Sequence, residues 1–197
     1  MILVCIIFYF INMILSYLTH KNGSDFYTDR IKKNKINPKV FDLGYKYLPN
    51  YTDNIYLLII INLMCCGFLL VHFGLGYDIL NEYMYYFIII MFIRLIMINV
   101  TILPKTKTCD NNFNLKHTIN GHCYDKIFSG HFASFLLLLV ILYNKNIYTN
   151  IPVLFLVGLF HAFLIILTRA HYTIDIIVAI FVVLFVYFNI PMIKSSK

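Results

Sequence analysis

Two residues with complementary acid–base chemistry stand four apart between long apolar runs: His171 and Asp175, in the stretch Arg169-Ala170-His171-Tyr172-Thr173-Ile174-Asp175. Ionisable side chains are costly in such surroundings and are rarely kept there without a use. On a helix, the i, i+4 spacing stacks the two side chains on one face, so that Asp175 accepts a hydrogen bond from one ring nitrogen of His171. The other nitrogen then keeps its lone pair and is able to attack an electrophile. The competing reading is structural: an Arg169–Asp175 or His171–Asp175 pair that only fixes a helix end.

A second histidine favours the chemical reading. His131 closes the stretch Gly121-His122-Cys123-Tyr124-Asp125-Lys126-Ile127-Phe128-Ser129-Gly130-His131, again at the mouth of an apolar run. Together the two stretches resemble the sphingomyelin synthase family, within the phosphatidic-acid-phosphatase-like superfamily of membrane enzymes. Cys123-x-Asp125-x-x-x-Ser129-Gly130-His131 and His171-Tyr172-Thr173-Ile174-Asp175 match its two catalytic motifs. Tyr124 stands where the family usually has glycine, and Phe132 where it usually has threonine, departures that bear on the head group more than on the chemistry. Two fainter elements resemble the family as well. Arg94 lies ten residues before the proline of Thr101-Ile102-Leu103-Pro104, and Leu48-Pro49-Asn50 resembles a Leu-Pro-Asp element with asparagine in place of the aspartate. A Pro-Asn turn leading into a helix explains the second equally well.

Two histidines can divide the work of phosphoryl transfer. One attacks phosphorus in line while the other protonates the leaving oxygen and later deprotonates the acceptor hydroxyl. The resemblance implies His171, oriented by Asp175, as the nucleophile and His131 as the acid and base. Ser129 and Gly130, at the start of a helix, would offer backbone N–H groups and a hydroxyl to the phosphate. Asp125 would orient His131 or a head-group cation, or else is a solvated loop acid. Arg94 would reach a lipid phosphate, or else neutralise a buried acid such as Asp175. Tyr172, inside the second motif, is grouped with the substrate-binding residues.

The elements that must position these residues are membrane elements. The chain is 60% hydrophobic over 197 residues with a mean hydropathy of +0.77, too apolar for a water-soluble domain of this length. The expected fold is all-α, a single domain over residues 1–197 with six transmembrane helices at about 2–18, 55–73, 83–103, 127–143, 151–168 and 172–191. The first lacks the basic start and small-residue cleavage site of a signal peptide and is read as an uncleaved span. Polar loops are expected at 19–54 and 105–126, with short ones at 74–82 and 144–150. Six crossings place both long loops and the Arg169 turn on one side, so both motifs share a face about one helical turn inside the bilayer.

Other groups carry less. His72 and His161 lie on apolar runs and His20 and His117 in loops, so polar helix contacts or solvated positions are expected; His122 adjoins the first motif without an assigned role. No Cys/His spacing fits a metal site, so neither metal nor cofactor is expected. The net charge of +7 comes mainly from the two polar loops and is read as contact with anionic head groups or as a topology signal, not as a nucleic-acid surface.

The resemblance implies transfer of phosphocholine or a related phospho-alcohol from a glycerophospholipid donor to a ceramide acceptor, in an endomembrane or the plasma membrane, with self-association left open. A lipid phosphatase would use the same two histidines with water as acceptor, but the Lys-x6-Arg-Pro element usual in those relatives is not visible. A non-catalytic lipid-binding membrane protein is the third class, and the intact His131, His171 and Asp175 argue against it.

Topology divides the arguments. Seven Lys/Arg in 19–54, four in 105–126 and Arg169 oppose Lys145, Lys194 and Lys197, which by charge alone puts the active face in the cytosol. The resemblance implies a lumenal or exoplasmic face, and the 36-residue first loop with its four acids weakens the charge rule, so the lumenal face is adopted. An oxidising lumen would permit a Cys109–Cys123 disulfide and use of the sequons at Asn22 and Asn50. Protease treatment of sealed vesicles carrying a C-terminally tagged chain, with thiol labelling of Cys109 and Cys123 before and after reduction, is expected to show a cytosolic tag. An external tag with both thiols freely reactive would reverse the assignment.

Overall fold

The computed structural model describes residues 2–34, 40–52, 54–73, 76–105, 124 and 126–192. Cys109, His117, His122, Cys123 and Asp125 lie outside the described residues. Within them the chain is all-helical: α1 (Ile2–Asn34), α2 (Leu43–Tyr47), α3 (Ile55–Phe73), α4 (Tyr77–Val100), α5 (Gly130–Asn144), α6 (Ile151–Leu167) and α7 (Thr173–Asn189).

The centre of the bundle is α5, which packs against α3, α4, α6 and α7. Its Phe132, Ala133, Phe135, Leu137, Leu138, Leu139, Ile141 and Leu142 are all buried, as expected of a helix that is apolar on every side. Ile90 from α4, Ile165 from α6, and Ala179, Val183 and Val186 from α7 close around it. The outer faces stay apolar. Phe155, Leu156, Leu159 and Phe160 on α6 and Phe181, Phe185 and Phe188 on α7 are exposed, an extent of apolar surface that water-soluble monomers rarely present. Among the described residues, α4 alone is long and apolar enough to cross a membrane by length and composition, with 24 residues and a mean hydropathy of 1.9. At 15 residues α5 is about 22 Å long.

Two boundaries differ from the sequence expectation. The first span does not give way to a loop at residue 19, because α1 continues to Asn34. Tertiary contacts carry it past Gly23. Thr19 Oγ1 donates to Asn99 Oδ1 at 3.0 Å, Tyr27 Oη donates to the Ile102 carbonyl at 2.9 Å, and the Tyr27 ring stacks on Tyr124 with centroids 5.6 Å apart. His20, expected to be solvated, is buried 5.5 Å from the Tyr124 ring. At the other end of the bundle α4 begins at Tyr77, so Asp78 and Glu82 fall on the helix and not in a loop. Glu82 accepts from Tyr187 Oη at 2.9 Å and pairs with Lys145 at 2.7 Å, joining α4 to α7 and to the end of α5.

Both α5 and α6 end in left-handed residues, Asn146 at φ 57° and Arg169 at φ 54°. In each case the next two amides fold back in a Schellman arrangement: Arg169 N–H donates to the Ile166 carbonyl and Ala170 N–H to the Ile165 carbonyl. Asparagine tolerates this backbone conformation, whereas arginine carries a strain of about 1 kcal/mol there. Contacts made by its side chain, described below, hold it in place.

The close approach at Gly23 has a measurable consequence. A Cβ there would lie 2.7 Å from Tyr124 and 2.8 Å from Ile102, whereas a Cβ at Gly158 on α6 would make an ordinary 3.4 Å contact with Leu139. Thermal unfolding in detergent is expected to show Gly23→Ala destabilised by about 1–3 kcal/mol from overpacking, and Gly158→Ala stabilised by about 0.5–1 kcal/mol from helix propensity.

Candidate active site

Helix α7 starts with Tyr172 as its N-cap, which places Asp175 in the first turn. From there the carboxylate reaches back over the open end of the helix. Its Oδ2 accepts from the Tyr172 backbone N–H at 2.9 Å and lies 3.1 Å from His171 Nδ1. His171 precedes the helix, so the pair is not stacked along a helical face as the spacing suggested. The hydrogen bond arises because one first-turn carboxylate serves both the helix end and the ring. Opposite an ionised carboxylate, Nδ1 carries the proton and Nε2 the lone pair. Both side chains are buried, Asp175 fully.

Arg169 reaches the region around α2. Its Nη2 donates to the Tyr45 carbonyl at 3.2 Å and the Leu48 carbonyl at 2.8 Å, and the guanidinium lies 4.2 Å over the Tyr45 ring. These contacts belong to a clamp formed by the region around α2, which the sequence presented only as part of a polar loop. Asp42 caps α2 through the Tyr45 N–H at 3.0 Å, and its two oxygens also take the Thr173 N–H at 2.7 Å and the Thr173 hydroxyl at 2.8 Å. Tyr45 Oη donates to the His171 carbonyl at 3.0 Å, and Tyr51 N–H donates to the Leu167 carbonyl at 2.9 Å. Gly44 is required by proximity, since a Cβ would come within 2.5 Å of Thr173 Oγ1. Sequence reading missed Asp42, Gly44 and Tyr45. The only signal was an aspartate two residues before a glycine in a stretch rich in aromatic residues.

The start of α5 faces this turn. Ser129 is its N-cap, with Oγ accepting from Phe132 N–H at 3.3 Å while its own N–H donates to the Asp175 carbonyl at 3.4 Å. Both groups of Ser129 that were expected to meet phosphate thus have partners inside the fold. The Gly130 N–H, by contrast, opens the helix, where no carbonyl of the same helix precedes it. Arg94 lies beneath this end. Its Nε donates to the Phe128 carbonyl at 3.3 Å and its Nη1 to Ser16 Oγ at 3.4 Å, and a Cβ on Gly130 would come within 3.2 Å of Nε. The arginine therefore ties α1 and α4 to the first motif at Phe128.

Lys126, which sequence reading treated as one of four loop lysines, is 1% exposed, with Nζ donating to the Ala170 carbonyl at 2.7 Å. Only its position at the edge of an apolar run distinguished it. Tyr172 is also committed within the protein. Its Oη donates to the Pro104 carbonyl at 2.9 Å and its ring stacks on Tyr45.

His131 and His171 line one narrow cleft with Leu58, Ile61, Asn62, Ile165 and Ala170. Behind His131, Cys65 Sγ lies 3.5 Å from the His131 carbonyl and 3.6 Å from His161 Nε2, and His161 packs on Phe135. Phe132, one of the two departures from the pattern the sequence resembles, also stacks on His161. A narrow apolar cleft containing two imidazoles, one held by a carboxylate, suits transfer of a phosphoryl group from a lipid.

Residues 122–191, which contain both histidines and Asp175, match the family model described as PAP2 superfamily C-terminal. The match supports the phosphatidic-acid-phosphatase-like superfamily, whose members handle phosphoryl groups on lipids and are generally membrane proteins. No curated protein matches the chain.

The shared carboxylate separates two variants. Asp175→Asn retains an oxygen to accept the Tyr172 N–H, whereas Asp175→Ala leaves that amide buried without its acceptor, at a cost of about 1–3 kcal/mol. Thermal unfolding in detergent is expected to place the alanine variant below the asparagine variant, and equal midpoints would show that the cap contributes nothing.

Proposed function

We propose that this chain is a multi-pass membrane phosphotransferase moving a phospho-alcohol head group from a glycerophospholipid to ceramide. The supporting observation is the pairing of His171 Nδ1 with Asp175 at 3.1 Å on a turn that shares its cleft with His131. In this reading Nε2 of His171 attacks the phosphodiester phosphorus, and the bond from phosphorus to the glycerol oxygen breaks. His131 donates its proton to the departing diacylglycerol oxygen, leaving a phosphohistidine that carries the head group. His131, now neutral, takes the proton of the acceptor hydroxyl. That oxygen attacks phosphorus, the P–N bond breaks, and both histidines return to their starting states. Asp175 keeps His171 in the reactive tautomer and stabilises the positive charge that develops on the ring. Gly130 and Asp125 remain the proposed contacts for phosphate and head group, and Arg94, Ser129 and Tyr172 support the site from behind. Six crossings are proposed for α1 and α3–α7, with the site on the lumenal or exoplasmic side.

A lipid phosphate phosphatase uses the same residues with water as acceptor, and the superfamily match covers both activities. Purified protein given labelled phosphatidylcholine with and without ceramide, and labelled phosphatidic acid alone, separates the two. Label passing to ceramide supports the transferase, release of inorganic phosphate from phosphatidic acid alone replaces it with the phosphatase, and inactivity on all three overturns both.

His171→Ala and His131→Ala are each expected to abolish turnover, and Asp175→Asn to reduce it by about 10²-fold or more, without loss of insertion. If His131→Ala blocks only the release step, brief exposure of that variant to labelled donor leaves label on His171 that is stable to base and lost in acid. Wild-type turnover in His171→Ala would end the mechanism.

A further inference from the structure

The outward side of the clamp has a chemistry of its own. Whereas Asp42, Gly44 and Tyr45 face the His171 turn, Phe41 is 75% exposed, Leu43 59% and Tyr47 70%. Leu43 and Tyr47 are i, i+4 on the short α2 and so share one side. Lys46 Nζ lies 5.9 Å over the Phe41 ring and 5.1 Å over the Tyr47 ring. Two aromatic rings, a leucine and a lysine on one small surface match the composition of a membrane–water interface, where amphipathic rings rest among head groups and the lysine reaches phosphate. The position agrees. The short helix that carries the patch sits against the end of α6 and the start of α7, and the exposed Ile174, Ile177, Phe181 and Phe185 of α7 form a stripe at helical spacing. If lipid tails cover that stripe, the patch at its end is level with the head groups. A second copy of the chain is the poorer fit, because a stable protein interface buries on the order of 1,200 Å² or more, well beyond what eight residues present.

We propose that residues 40–47 form an in-plane anchor seated in the head-group layer, and that this anchor holds the His171 turn at the depth of the lipid phosphates through Asp42 and Tyr45. The proposal rests on the membrane-spanning reading above. In it, α2 is not a solvated loop but the contact through which the bilayer surface sets the position of the cleft. The inward contacts are short: 2.7 Å from Thr173 N–H to Asp42 and 3.0 Å from Tyr45 Oη to the His171 carbonyl. A displacement of the anchor is therefore passed directly to the turn.

The chain contains no tryptophan, so a single introduced Trp reports its own depth. Tyr47→Trp tests the anchor and Phe181→Trp, at the middle of α7, tests the span. Each is placed in phosphatidylcholine vesicles containing lipids brominated either near the glycerol end or near the tail end of the acyl chain. Tyr47→Trp is expected to be quenched most by bromine near the glycerol end, and Phe181→Trp by bromine near the tail end. An unquenched, water-like emission from Tyr47→Trp beside a quenched Phe181→Trp overturns the anchor alone. An unquenched but blue-shifted emission from Tyr47→Trp means that protein covers the patch, and also overturns it. If neither variant is quenched, the membrane-spanning reading falls as well. The coupling has its own measurement, independent of activity: in vesicles, Phe41→Ser/Tyr47→Ser is expected to speed amide exchange at Thr173 by about tenfold as the clamp loosens. Unchanged exchange would show that the anchor does not hold the turn.

Discussion

The site depends on one carboxylate oxygen. Asp175 Oδ2 receives both the backbone N–H that begins α7 and the ring N–H of His171, so the helix cannot be capped without also orienting the imidazole. A buried hydrogen bond to a charged group is worth about 1.5–3 kcal/mol, and leaving such a charge without partners costs more. That is enough to fix a turn which would otherwise relax, because it contains an arginine in a left-handed conformation. The strain at Arg169 is offset where its guanidinium takes two carbonyls and an aromatic face from the α2 region. Clamp and cap act on the same few residues from opposite sides.

Sequence and structure agree best where a residue acts through a local pattern. The spacing of His171 and Asp175 announced their hydrogen bond, and the serine and glycine before His131 announced a helix start. Even so, the geometry of the pair was misjudged, since spacing alone does not say whether the first residue lies inside the helix. What stayed hidden involves partners far apart in sequence. Nothing around Asp42 points to Thr173, 131 residues away, and nothing around Lys126 points to the Ala170 carbonyl. The continuation of α1 through Gly23 was missed for the same reason. Its helix propensity is poor, and it is held by Asn99, Ile102 and Tyr124, which belong to other segments.

The two departures from the family pattern acquire physical partners. Tyr124, where glycine is usual, fills the space left by Gly23 and stacks on Tyr27, pinning the approach to the first motif against the extension of α1. Burial first, and Tyr27 second, raise its phenol above the ordinary value, so it stays neutral in this role. Phe132 packs against His161, which in turn contacts Cys65 next to the His131 backbone.

The capping of α7 also makes the two helix starts at the site unequal. Every helix presents a partial positive charge at its N-terminus. At α7 that charge is already answered by two carboxylates of the protein, with Asp175 on the Tyr172 amide and Asp42 on the Thr173 amide. At α5 the cap is the uncharged hydroxyl of Ser129. Of the two helix starts, that of α5 therefore keeps more of its positive charge for the anion of the proposed reaction. On the proposed reading a phosphate turns its charged oxygens toward α5 and its phosphorus toward His171, a polarity built from which helix is capped by a charge and which by a neutral group.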